Sequence, residues 1–168
     1  SRYHMSATLT EEGSPSLRLT KGSKPYISIG YSRSIDVTDS LPSEYIHNME
    51  QGIKYPIRPL PNEIIVGLIL LPFPQLDDEI RILGDYDIKV HEYPSSLYKS
   101  KRDRVTTEWC VGINGVDAVT KFIDGIGFLP GSNVETRYNL IWSLYQKYKD
   151  KAVNHEDVDQ IRKELGIT

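Results

Sequence analysis

Residues 26–37 read YISIGYSRSIDV, an almost strict alternation of apolar and polar side chains. A period of two places successive side chains on opposite faces of a β-strand. The segment therefore predicts a strand with one buried face. Arg33 is the single charged side chain on that face.

Four more strands are expected around this one. Val105–Ile113 alternates in the same way, and Ile80–Val90 alternates on both sides of Gly84-Asp85, which predicts a hairpin. The continuous apolar run Ile64–Leu71 is short and rich in β-branched residues, so it predicts a fully buried strand. Three prolines within residues 55–61 predict an extended connection.

Helical spacing of apolar residues predicts four helices. They are expected near Tyr45–Met49, over Val119–Ile126, from Asn133 to Tyr148, and from Asn154 to Leu165. This order lacks regular β-α-β alternation, so it favours an α+β fold, a mostly antiparallel sheet of about five strands packed against about four helices.

Residues 1–16 are expected to lie outside the folded body. His4-Met5 resembles a cloning junction, and residues 6–16 are rich in Ser, Thr, Glu, Gly and Pro with one leucine. Ordering such a segment costs backbone entropy that little apolar burial offsets. The sequence thus predicts a tag remnant and flexible arm at 1–16, followed by one globular domain at 17–168.

Composition excludes several classes of protein. Hydrophobic residues make up 39% and charged residues 26% of the 168 positions, which is ordinary for a globular chain. No apolar run approaches the ~20 residues of a membrane-spanning helix. The net charge of -3 gives no overall attraction to phosphate, and the single cysteine, Cys110, favours an intracellular location, cytoplasmic or nuclear.

One acidic run suggests catalysis. Asp77 and Asp78 precede the predicted hairpin, which carries Asp85, Asp87 and Lys89. This pattern resembles the Asp/Glu-x-Lys half of a restriction-type nuclease motif, which implies a divalent metal beside an activating lysine. Alternating Asp and Lys are also typical of the solvent-facing side of a hairpin. The catalytic hypothesis rests on Asp78, Asp87 and Lys89.

A second resemblance lies in residues 63–70, which read EIIVGLIL. They are similar to the dimerisation helix that opens LAGLIDADG homing endonuclease domains. That family places a metal-binding carboxylate at the end of this helix. Here the position is occupied by Leu71, Pro72 and Phe73, so the resemblance implies the helix without the metal ligand.

Residues 93–104 form the best candidate binding segment. Tyr93-Pro94-Ser95-Ser96-Leu97 resembles the Tyr-Pro-x-Leu class of late-domain peptides, by which viral proteins recruit membrane-scission machinery. A basic cluster follows it and suggests weak contact with an anionic membrane or nucleic acid. The candidate binding residues are Tyr93, Pro94, Leu97, Tyr98, Lys99, Lys101, Arg102 and Arg104.

Eleven tyrosines against three phenylalanines favour a surface that binds protein, because tyrosine suits half-buried, half-wet contacts. No complete catalytic constellation, zinc spacing or nucleotide-binding loop is present in the sequence. We therefore expect a non-enzymatic interaction or assembly domain, matrix-like or scaffold-like, that binds itself or another protein without cofactor or metal. The alternative is a metal-dependent nuclease or nucleic-acid-binding domain.

Overall fold

The computed structural model describes residues 1–69, 71 and 73–167. These residues form an α+β fold with a five-stranded antiparallel sheet, which confirms the predicted class. The strands are β1 (Ser14–Arg18), β2 (Tyr26–Asp36), β3 (Lys54–Pro56), β4 (His91–Lys99) and β5 (Val105–Asn114), and they lie in the order β1-β2-β5-β4-β3. The α-helices are α1 (Arg2–Glu12), α2 (Ser43–Asn48), α3 (Asn62–Ile69), α4 (Pro74–Asp85), α5 (Val116–Gly125), α6 (Asn133–Tyr148) and α7 (His155–Glu164).

The two longest strands are those with the clearest alternation. β2 has 11 residues and β5 has 10, and the apolar residues of each are buried at every second position through most of its length. The N–H of Val37 donates to the C=O of Val105 at 2.9 Å, and this bond closes the antiparallel pair at one end. Local sequence pattern therefore predicted the centre of the sheet correctly.

The chain divides into two compact units. The first unit contains residues 1–31, 80–91 and 112–168, and the second contains residues 32–79 and 92–111. β2, β5 and α4 each contribute residues to both units.

In the first unit, the expected flexible arm is instead the helix α1 followed by β1. Met5 and Leu9 are fully buried. The hydroxyl of Ser6 donates to the C=O of Gly127 at 2.8 Å, and the hydroxyl of Thr10 accepts from the N–H of Leu129 at 2.9 Å. Burial of these two apolar side chains and the long-range hydrogen bonds offset the backbone entropy that is lost when the segment becomes ordered. Composition alone indicated the entropy loss but not these contacts.

Helices α5, α6 and α7 confirm the helical spacing found in the sequence. α6 begins one residue after its N-cap Ser132, whose hydroxyl accepts from the Glu135 N–H at 3.2 Å. Asn154 and Asp157 form a reciprocal capping box at the start of α7.

The second unit has its own core, to which α3, β4 and β5 contribute buried side chains. Its buried members are Val37, Leu41, Met49, Ile57, Ile64, Leu68, Leu97 and Val105. The predicted strand over 64–71 is wrong, because Asn62–Ile69 is helical; Leu70 lies outside the described residues. Ile64 and Leu68 are buried one helical turn apart, while Val66 and Ile69 are more than half exposed. A short apolar run fits either structure, and only the core shows which face is covered.

The predicted hairpin over 80–90 is also wrong, because most of its first strand and its turn belong to α4. The buried side chains of α4 include Leu76, Glu79 and Leu83, a spacing of three and four residues. Ile80 and Ile82 alternate with charged residues, but the same segment satisfies the helical period when it is read from Leu76. Gly84 lies in the last turn of the helix rather than in a hairpin.

Two glycines of the second unit test the helical assignment of α3. Gly67 lies inside the exposed part of α3, and an added Cβ would meet no atom within 4 Å. Gly67→Ala is expected to stabilise the fold by about 0.5–1 kcal/mol, because alanine loses less backbone entropy in a helix. The matched control is Gly52→Ala. An added Cβ at Gly52 would also meet no atom within 4 Å, but the backbone there has φ +77°, so alanine is expected to destabilise the fold. Urea unfolding that ranks the two variants the other way would contradict the helix.

Candidate functional site

The strand β2 has an open edge along its second half. β1 pairs with β2 only from Arg18↔Tyr26 to Ser14↔Gly30. The neighbours of β2 in the sheet are β1 and β5. Within the part of the chain that the structure describes, residues 32–36 therefore have a strand on one side only.

The backbone groups on this open edge follow from the pairing with β5. The Val37 N–H points to β5. Because backbone groups in an antiparallel pair alternate in direction along the strand, the N–H groups of Arg33 and Ile35 also point to β5. The N–H and C=O groups of Ser32, Ser34 and Asp36 consequently point away from β5. An unpaired row of such groups is a template for an additional strand.

A cleft of about 510 Å³ lies against this edge, within the second unit. Its volume falls in the range of ~300–1,000 Å³ that is usual for ligand pockets. One wall is the strand edge with Ser40, and the other is the segment that leads into α4. The lining residues are Arg33, Ser34, Ile35, Asp36, Ser40, Leu71, Phe73, Pro74, Gln75 and Leu76.

The guanidinium of Arg33 is held by Glu79 of α4. Nε donates to Oε1 at 2.9 Å and Nη2 donates to Oε2 at 3.1 Å, which is bidentate geometry. The Glu79 side chain is 1% exposed and the Arg33 side chain 19%. This pair explains why a charge interrupts the apolar face of β2, and it fixes α4 beside the strand.

The second charged residue of the cleft is also paired internally. Arg104 donates to both carboxylate oxygens of Asp36, at 2.9 and 3.1 Å. Partial burial raises the pKa of the Asp36 carboxyl, but the hydrogen bonds from Arg104 and from the Thr38 N–H outweigh it, so the pKa lies below its usual value. Both lining charges are thus neutralised by the protein itself.

The remaining lining is largely apolar. The Phe73 ring packs edge-on against Trp109, with 5.1 Å between the ring centroids. In the antiparallel pairing that includes Val37 and Val105, Trp109 lies opposite Arg33, on the same face of the sheet as Ile35. Leu71 and Phe73 both pack against the core of the second unit. Apart from the Arg33 guanidinium, which Glu79 holds, this face of the open edge is therefore apolar, and the other face carries Ser34 and Asp36.

The proposed catalytic residues do not lie on a hairpin. Asp78 is exposed on α4 and belongs to the second unit, whereas Asp87 and Lys89 follow α4 in the first unit. The Asp87 carboxylate accepts from Lys121 at 2.8 Å, and this hydrogen bond holds the pKa of Asp87 below its usual value. Among residues 1–69, 71 and 73–167, no group of three or more His, Cys, Asp or Glu side chains is placed to hold a metal ion.

The first part of the predicted binding segment is a strand, because residues 91–99 form β4, and residues 100–104 connect it to β5. Tyr93 and Tyr98 are exposed at 47% and 39%, whereas Pro94 is buried and Leu97 is fully buried in the core of the second unit. The late-domain-like peptide therefore does not present its leucine to a partner.

The residues of the basic cluster have two different environments: some are held by hydrogen bonds within the protein, and others are exposed to solvent. Lys99 is buried, and its Nζ donates to the C=O groups of Ile46 and Met49 at the end of α2. Arg104 is engaged by Asp36. Lys101 and Arg102 are exposed in the turn between β4 and β5.

Sequence reasoning missed the cleft. The one signal was Arg33, whose charge on an apolar face required a buried partner. Nothing in the local pattern identified Glu79 as that partner, because the predicted hairpin placed it in the wrong element.

No family model, curated protein or solved structure matches the chain. Among the helices that the structure describes, none has the length and apolar character needed to cross a membrane.

Proposed function

We propose that this chain is a non-enzymatic interaction domain that binds an extended segment of another protein as an additional strand beside β2. The observation that carries the proposal is the open edge at residues 32–36, which forms one wall of the cleft.

Three further features support this proposal. The outward groups of Ser32, Ser34 and Asp36 offer the spacing that an extended backbone requires. The cleft has two walls, so that a bound segment would be enclosed beside the edge. Its lining charges are already paired, so binding leaves no lining charge newly buried without a partner.

The test uses a randomised seven-residue peptide library, displayed on phage and selected on the immobilised chain. The enriched pool is then measured on Ser34→Pro, which removes an outward N–H and places a ring on the edge. Binding is expected to weaken by a factor of about ten to a hundred, because a buried hydrogen bond is lost and its acceptor is left unsatisfied.

Proline is tolerated in a strand where its missing N–H faces outward, so Ser34→Pro should still fold. Ser34→Thr keeps the amide and serves as the matched control, with binding close to that of the unmodified chain. Circular dichroism and thermal unfolding check the fold of both variants. Undiminished binding to Ser34→Pro would contradict strand addition.

A second copy of the chain is the other occupant to consider, since self-association was an expectation from the sequence. Light scattering over a range of concentrations separates the two cases. A monomer supports a segment of another protein. Association that Ser34→Pro abolishes would overturn that choice and make a second copy the occupant.

A further inference from the structure

We infer that the segment bound in the cleft is an uncharged strand with apolar side chains at alternate positions, two of which lie opposite Arg33 and Ile35. This inference rests on the proposed function and adds the chemistry of the partner. It follows from which face of the open edge is apolar and from how the two charges of the cleft are held.

Side chains alternate between the two faces of a paired strand. Residues directly opposite each other in an antiparallel pair place their side chains on the same face. A partner residue opposite Arg33 or Ile35 would therefore face the side on which Phe73 packs against Trp109. The partner residue between these two would face the side of Ser34, which is exposed.

The apolar wall of the cleft is only partly covered by the protein. Ile35, Leu71 and Phe73 line the cleft while they are only partly buried against the core of the second unit. Contact with aliphatic side chains would remove their uncovered apolar surface from water, which favours binding. A partner segment that fills the positions opposite Arg33 and Ile35 would therefore have two apolar residues separated by one residue of any type.

Both charged side chains of the cleft are already engaged within the protein. The guanidinium of Arg33 makes a bidentate contact with Glu79, and the carboxylate of Asp36 makes one with Arg104. A charged partner side chain would compete with these contacts, whereas an apolar one leaves them intact. Binding is therefore expected to change less than about threefold between 50 and 500 mM salt, since screening acts mainly on exposed, unpaired charges.

In the experiment, the peptides that are enriched on the unmodified chain but not on Ser34→Pro are sequenced. The expected result is a consensus with apolar residues at positions i and i+2 and no net charge. Replacing both apolar residues by serine in a synthetic consensus peptide is expected to weaken binding by a factor of about a hundred.

The possible outcomes separate the two proposals. A consensus of lysine, arginine or acidic residues that depends on Ser34, or binding that falls steeply with salt, would overturn this inference and leave strand addition standing. Enrichment that is equal on Ser34→Pro would overturn the proposed function. The Ser34→Ala chain, which keeps the amide and lacks the hydroxyl, must return the same consensus as the unmodified chain, so that loss of the amide and loss of the serine side chain are distinguished.

Discussion

Replacing Arg33 with methionine is expected to lower the free energy of unfolding by about 3–5 kcal/mol, the cost of leaving a buried charge without its partner. The Glu79 carboxylate is 1% exposed and cannot reach water without moving α4 away from β2. The converse change, Glu79→Leu, is expected to cost less, because the Arg33 side chain is 19% exposed and can turn toward solvent. Urea unfolding followed by circular dichroism measures both.

The double variant Arg33→Met with Glu79→Leu is the control for this pair. Replacing both partners with apolar residues of similar volume removes the desolvation cost together with the attraction, so most of the lost stability should return. The coupling between the two single changes then measures the pair itself. A loss below about 1 kcal/mol for Arg33→Met would show that Glu79 is hydrated in solution.

Replacing Lys99 with methionine is expected to cost about 2–3 kcal/mol, because hydrogen bonds from a charged donor contribute more than neutral ones and both acceptors lose their donor. The ammonium is 2.8 Å from the Ile46 carbonyl and 3.1 Å from that of Met49, at the end of α2. Methionine keeps most of the aliphatic stem, so the change isolates the ammonium.

Lys101→Met is the matched control for Lys99, since it removes an exposed lysine two residues away in the same basic cluster. It should alter stability by less than about 0.5 kcal/mol. Thermal unfolding of the two variants, with a vesicle-binding assay using anionic lipid, separates a structural role from a binding role. If Lys99→Met were fully stable and lost vesicle binding, the structural role of Lys99 would be wrong.

The sequence alone predicted the elements whose side chains follow one clear period. β2 and β5 alternate over 11 and 10 residues, and α5, α6 and α7 carry apolar stripes with recognisable caps. Such patterns are local, because they record which face of an element is buried without requiring knowledge of what buries it.

The same reasoning failed where a segment satisfied two periods. Residues 62–69 and 74–85 are both helices, although one is a continuous apolar run and the other alternates in its second half. The core of the second unit resolves the choice for α3, since it covers Ile64 and Leu68 and leaves Val66 exposed.

The candidate site depended almost wholly on tertiary structure. The open edge exists because β1 has five residues and β2 has 11, and because β1 starts its pairing at Tyr26. Arg33 and Glu79 are 46 positions apart, and Asp36 and Arg104 are 68 positions apart. Sequence by itself determined that Arg33 sits on a buried face and that a strand runs through it. Which carboxylate neutralises Arg33, which lysine is structural, and where the sheet ends were decided by packing between segments distant in the chain, and no local period records such packing.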